Sequence, residues 1–236
     1  MTSVTQNLLK IRQRIRQACD SCGRDPAEVN LLAVSKKHPA DAIRVAFEAG
    51  QKAFGENFVQ EAMGKQRQLQ SLDIEWHFIG HIQSNKAREI ATCFDWVHSV
   101  DRLKVATKLS AHRPPGQTDL DICLQVALNQ EKGKSGVAPE NLADLASRVA
   151  ELPGLRLRGL MCIPPASEKP SRQRHWFARL ASLQNELNQL LGLGLDTLSM
   201  GMSNDLEAAI EEGSTLVRLG TAVFGPRPAG TGPLTG

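Results

Sequence analysis

The chain has 236 residues, 41% hydrophobic and 22% charged, the composition of a soluble globular protein long enough to bury a sizeable core. Its net charge is +3, its aromatic content is 4%, and no Lys/Arg block is interleaved with aromatic residues. A dedicated nucleic-acid surface is therefore not expected, although a basic rim around an anionic phosphate ligand is compatible with these values.

The start, Met1-Thr2-Ser3-Val4-Thr5, lacks a charged segment followed by an apolar run, and no apolar stretch approaches the length of a membrane span, so neither a secretory signal nor a membrane partner is expected. From Thr5 onward, Leu8, Ile11, Ile15, Ala18 and Cys22 recur at helical spacing, with Lys10, Arg12, Arg14 and Arg16 on the other faces. This predicts an amphipathic helix ending near Gly23. Cys19 and Cys22 form a C-x-x-C pair without a second pair or nearby histidines, so the spacing reads as packing on one helix face rather than as zinc ligation. Five scattered cysteines suit a reducing cytoplasm better than a disulfide framework.

Residues 30–36 read as a first strand buried on both faces, and Pro39 opens a helix reaching Gly50. The unit then repeats. Strands are predicted over Ala53–Asn57, Ile74–Gly80, Trp96–Val100, Leu120–Leu128, Leu155–Ile163, Thr197–Gly201 and Leu216–Gly220. Helices are predicted from Val59 to Leu69, from an N-cap at Ser84, from a cap at Asp101, from Pro139-Glu140, from Ser171 to Leu191, and from Ser203 or Asn204 to Gly213. The long 171–191 helix would bury Trp176, Leu180, Leu183, Leu187 and Leu190. Eight strands alternating with helices, behind one extra N-terminal helix, imply a parallel sheet closed into an α/β (β/α)8 TIM barrel. An open doubly wound sheet is the rival, but the first strand-to-helix turn lacks a G-x-G-x-x-G loop. Residues 1–225 are expected to form one domain, and the Pro/Gly-rich end over 226–236 a disordered tail.

Functional residues of such barrels lie at the C-terminal strand ends. These are Lys36, Asn57, Gly80-His81, the loop with Lys134-Ser135-Gly136, Pro164-Pro165, Gly201-Met202-Ser203-Asn204 and Gly220-Thr221. A lysine at a buried strand end either becomes nucleophilic through desolvation or snorkels its amine into water. The last two loops carry glycines for close backbone approach and hydroxyls to donate, the chemistry of a phosphate cradle. Arg218 shares a face with Gly220 and meets either an internal carboxylate or an anionic ligand, because an unpaired buried charge is costly. His77 and His81 straddle a strand end without the glutamate of a zinc-protease helix, so no metal site is expected there. A buried lysine facing a phosphate cradle suits a phosphorylated aldehyde, of which pyridoxal phosphate is the usual cofactor.

Ala33-Val34-Ser35-Lys36, Phe54-Gly55-Glu56-Asn57, His77-Phe78-Ile79-Gly80 with Gln83 and Asn85-Lys86, Lys134-Ser135-Gly136, Ser199-Met200-Gly201-Met202-Ser203 with Asp205, and Val217-Arg218-Leu219-Gly220-Thr221 with Phe224-Gly225 occur in that order. In these motifs the chain resembles the pyridoxal phosphate homeostasis proteins, relatives of the barrel domain of alanine racemase and of fold type III among pyridoxal phosphate proteins. The resemblance implies that Lys36 holds pyridoxal 5'-phosphate as a Schiff base. It implies that Ser203, Gly220 and Thr221, helped by Asn204, hold the phosphate, that Arg218 lies near the phosphate and pyridine nitrogen, and that Asn57 and Met200 line the ring. It implies a carrier acting in cofactor homeostasis and amino-acid/keto-acid balance; apo-enzymes are the expected recipients, the cysteines point to the cytoplasm, and a monomer is expected because no second domain follows the barrel to supply the racemases' dimer surface. Departures are His38, His81 and Phe58, where other residues are common in that family.

Two enzyme readings compete. A racemase of the related kind uses a tyrosine from a second domain, and this sequence contains no tyrosine. A phosphosugar barrel enzyme needs a carboxylate at a strand end, for which Glu56 is the one clear candidate.

Overall fold

The computed structural model describes residues 3–129, 135–165, 167 and 169–226. Eight parallel strands pair in sequence order and close on themselves: β1 (Asn30–Val34), β2 (Ala53–Glu56), β3 (Glu75–Phe78), β4 (Trp96–Val100), β5 (Leu120–Gln125), β6 (Leu155–Met161), β7 (Thr197–Ser199) and β8 (Leu216–Leu219). Closure is visible at Ala33, which lies opposite Phe54 of β2 on one side and Leu219 of β8 on the other. Around the strands run α1 (Val4–Cys22), α2 (Ala40–Glu48), α3 (Val59–Gln68), α4 (Ala87–Cys93), α5 (Leu103–His112), α6 (Leu142–Ala150), α7 (Pro170–Leu191), α8 (Leu206–Glu211) and α9 (Thr221–Phe224). The alternation legible in the sequence is that of a (β/α)8 barrel, and the extra helix in front is α1.

The apolar core is the layer between sheet and helices. Ala33, Phe54, Phe78, Val97, Leu160 and Leu219 point outward into it and meet helix residues such as Ile43, Ala62, Ile90 and Phe177. The alternate strand positions face the lumen. There Leu32 and Ile79 crowd the face of Gly55, 3.2 and 3.3 Å from where a Cβ would sit. The lumen also takes His77, His98, Ser199 and Arg218, all buried.

Helix α1 covers the seam between the last and first strands. Ser3 caps it reciprocally with Gln6, and Gly23 ends it in the left-handed conformation. Leu8, Ile11 and Ile15 are buried, each contributing about 2 kcal/mol. Cys19, not Cys22, completes that stripe; Cys22 is exposed, its thiol turned toward the carbonyls of Ala18 and Cys19.

Local departures from the sequence reading have identifiable causes. Seven of the predicted strands end early, because the residues beyond them leave the ladder to build the mouth. Asp101 does not cap α5; its carboxylate accepts from Arg102 Nη1 at 2.6 Å. A 3₁₀ turn over Ser84–Lys86 precedes α4, and Ser84 provides no side-chain cap. Helix α8 starts at Leu206, so neither Ser203 nor Asn204 caps it; Asp205 Oδ1 instead accepts from the Met202 N–H at 2.6 Å. In α7 the inner stripe runs through Phe177, Leu180, Leu183, Gln184 and Leu187; Trp176 is half-buried and Leu190 is 70% exposed. The short α9 after β8 was not anticipated. Lys134 and the 227–236 part of the tail lie outside the described residues.

Candidate functional site

At the C-terminal mouth of the barrel is a cavity of about 260 Å³. Lys36, Asn57, Ser203, Arg218, Gly220 and Thr221 all line it, brought from the ends of β1, β2, β7 and β8. Period-two alternation puts Lys36 on the same face as Leu32 and Val34. Its neighbour Lys37 is the single described non-glycine residue with positive φ, 64°, and its N–H bonds the Glu61 carboxylate. That left-handed turn carries the chain from β1 to α2 immediately after the lysine.

Two expected residues lie elsewhere. Met200 is buried in the outer apolar layer, and Met202 lines the cavity instead. Asn204 is exposed, and its carbonyl accepts from Gln173 Nε2 at 3.2 Å. Alternation explains Met200: through β7 the odd positions face inward and the even ones outward, and the Gly201 turn (φ 95°) then reorients the chain ahead of Met202 and Asn204. Sequence reading did not single out the apolar lining from Val34, Ile79, Met161 and Ile163, though strand parity points to it. His38 also lines the cavity, its ring stacked on Phe224 at 5.0 Å.

Arg218 reaches this cavity from within the lumen. It is 5% exposed and forms no ion pair with a carboxylate among the described residues. Its Nη1 donates to Ser199 Oγ at 2.8 Å and its Nη2 to the Cys162 carbonyl at 2.9 Å. Burial pulls the guanidinium pKa down and pushes the adjacent Cys162 thiol up to about 12, so the thiol stays neutral. The cavity lining contains no Asp or Glu. Two cationic residue types thus line a small cavity whose lining has no carboxylate, an arrangement whose field favours an anion over a cation.

Below Arg218 the lumen holds a line of hydrogen bonds. Ser199 Oγ lies 2.7 Å from His98 Nδ1, His98 Nε2 lies 2.8 Å from His77 Nδ1, and His77 Nε2 lies 2.6 Å from Glu75 Oε1. Arginine can only donate and an ionised carboxylate can only accept, so Arg218 donates to Ser199 at one end and His77 donates through Nε2–H to Glu75 at the other. Burial keeps His98 well below the usual histidine range, hence neutral, so it carries a single ring proton. The bond from His77 lowers the Glu75 carboxyl and keeps it ionised. The parity of His77 and His98 on neighbouring strands carried this signal in the sequence. His81 is elsewhere, 3.2 Å from Ser135 Oγ.

Glu56 is not at the cavity. It points outward beneath the β1 end, where its Oε1 accepts from Lys65 Nζ and from Ser35 Oγ, each at 2.6 Å. Lys65 also bonds the Ser35 carbonyl and Glu61, so the cluster braces the backbone on both sides of Lys36. Burial raises the Glu56 carboxyl to about 6. A phosphosugar-type role for Glu56 is therefore excluded by direction alone.

The closed barrel with a lysine and an arginine at its mouth is a barrel of the alanine racemase kind. The family model "Alanine racemase, N-terminal domain" matches residues 6–228. The chain is 57% identical over 230 residues to the pyridoxal phosphate homeostasis protein of Pseudomonas aeruginosa, covering 98% of both chains. Among solved structures, PipY of Synechococcus elongatus, with PLP bound, is 39% identical with a TM-score of 0.84, covering 94% of this chain and all of that one. Alanine racemase from Corynebacterium glutamicum shares the fold at 18% identity and a TM-score of 0.67, over 98% of this chain and 62% of the enzyme. This chain belongs to the pyridoxal phosphate homeostasis protein family.

Proposed function

We propose that this chain binds pyridoxal 5'-phosphate in the mouth cavity, with Lys36 holding it as a Schiff base, and serves intracellular cofactor homeostasis and amino-acid/keto-acid balance without catalytic turnover of its own. The observation that carries this is the pairing of Lys36 with a buried, carboxylate-free Arg218 around one small cavity. The donor set fits the group. When bound, the cofactor supplies an aldehyde that captures an amine and a phosphate that anchors the molecule. Ser203, Thr221 and the Gly220 backbone offer hydroxyl and N–H donors to the phosphate. The Val34, Ile79 and Met161 side chains offer an apolar wall for the ring.

The non-catalytic part rests on Arg218 and on composition. A donor-only side chain beside the pyridine nitrogen disfavours its protonation and makes the ring a weaker electron sink. The chain has no tyrosine to act as the second proton donor of a racemase. We further propose a monomeric, cytoplasmic protein whose barrel domain spans residues 1–225 and which hands cofactor to apo-enzymes. All five cysteines are free, which fits a reducing compartment, and no helix among the described residues is long and apolar enough to cross a membrane.

Borohydride reduction of the protein with pyridoxal phosphate, followed by peptide mass mapping, tests the site. The adduct is expected on Lys36 and is lost in Lys36→Ala; an adduct confined to another lysine refutes the assignment. Stereospecific turnover of an amino acid at enzyme-like rates, abolished by Lys36→Ala, would overturn the carrier reading.

A further inference from the structure

The opposite end of the barrel holds a larger hollow, about 820 Å³, that the function proposed above does not use. Arg12 and Arg16 of α1, Lys52 between α2 and β2, and Arg156 and Arg158 of β6 line it, against two carboxylates, Glu75 and Asp121. Both carboxylates are committed. Asp121 pairs with Arg156 and, at 3.1 Å, with Arg158, while Glu75 accepts from His77 at 2.6 Å. Arg158 is further engaged by Asp196 at 2.7 Å and lies over the Trp96 ring, 4.9 Å from its centroid.

The other three cations are left over. Arg12 Nη1 donates to the Ala49 carbonyl at 3.1 Å, which seats its guanidinium against Gly50, the turn before Lys52. Neither Arg12 nor Arg16 has a carboxylate within ion-pair distance among the described residues. Lys52 reaches Asp73 only at 4.0 Å, with side chains 72% and 98% exposed, a contact of little energetic weight. Positive charge in a concavity with its own carboxylates already engaged concentrates anions, and guanidinium groups bind phosphate or carboxylate in paired hydrogen bonds. We propose that this hollow is a second anion site, taking a small molecule with two or more phosphate or carboxylate groups on Arg12, Arg16 and Lys52.

The test is a backbone-amide and indole NMR titration at constant ionic strength, one arm with inorganic pyrophosphate and one with citrate. The expected result is saturable shifts at Asn30, Gln51 and the Trp96 indole. In the Arg16→Glu/Lys52→Glu double variant these sites should bind the same probe at least tenfold more weakly. Shifts at Gly220 and Thr221 in the other mouth should keep their affinity, which also verifies the fold. Saturation by pyrophosphate alone identifies a phosphate ligand, by citrate alone a carboxylate ligand, and by both a site for either. Shifts that stay linear, that survive the charge reversal unchanged, or that occur only around Gly220 and Thr221 would overturn the proposal.

Discussion

Ser199→Ala removes one hydroxyl and cuts the lumen line at its centre. The hydroxyl accepts from Arg218 at 2.8 Å and lies 2.7 Å from His98, and all three residues are buried. A hydrogen bond to a charged group contributes about 1.5–3 kcal/mol and a neutral one about 0.5–1.5 kcal/mol, so the loss should be roughly 2–4 kcal/mol. With a urea slope of about 3 kcal/mol/M the unfolding midpoint falls by roughly 1 M at unchanged slope. Pyridoxal phosphate affinity should fall with it, because Arg218 keeps only the Cys162 carbonyl to hold its orientation. A double-mutant cycle with His98→Leu separates a connected line from two independent contacts: His98→Leu should cost less in the Ser199→Ala background than in the wild type, with a coupling of about 1 kcal/mol or more. A cost for Ser199→Ala below about 0.5 kcal/mol, or strict additivity with His98→Leu, would refute the reasoning.

Three further outcomes follow from local geometry. Glu56, held up to about 6 against an ordinary 4.5, takes up its proton at higher pH when folded than when unfolded. Acidification from pH 7 to 4.5 should therefore stabilise the wild type relative to Glu56→Gln by about 2 kcal/mol, the gain arising between 6 and 4.5; chemical denaturation across that range showing the opposite sign would contradict it. Lys37→Gly should stabilise by about 0.5 kcal/mol or more, since glycine adopts the φ of 64° without the Cβ penalty, and calorimetry reads this as a higher Tm. Gly80→Ala should cost roughly 3 kcal/mol and weaken cofactor binding, because a Cβ there would lie 2.1 Å from the backbone oxygen of Asn57, which lines the cavity.

Much of this was legible in the sequence because a parallel barrel repeats one simple signal. Apolar runs such as Leu120–Leu128 and the glycine stops between units register independently of tertiary context, and strand ends such as Lys36 and Thr221 then fall at the mouth. What was not legible depends on orientation around a strand or helix. Met200 and Met202 differ by a glycine turn, and Cys19 and Cys22 by three positions at a helix end, the first buried and the second exposed; composition does not distinguish either pair. The cluster of Ser35, Glu56, Glu61 and Lys65 joins two strand ends to a helix face, so no local pattern announces it. That Arg218 meets a hydroxyl and a carbonyl inside the barrel, with no carboxylate at ion-pair distance among the described residues, could not be read from the sequence either.

The guanidinium at the top of the lumen line limits proton traffic. A proton leaving a molecule in the mouth cavity meets Arg218, which has no lone pair to receive it. The floor of the cavity is therefore a poor route for acid–base exchange: the line below it holds the orientation of one guanidinium that can only donate. Whatever sits above Arg218 trades protons with bulk water through the mouth alone.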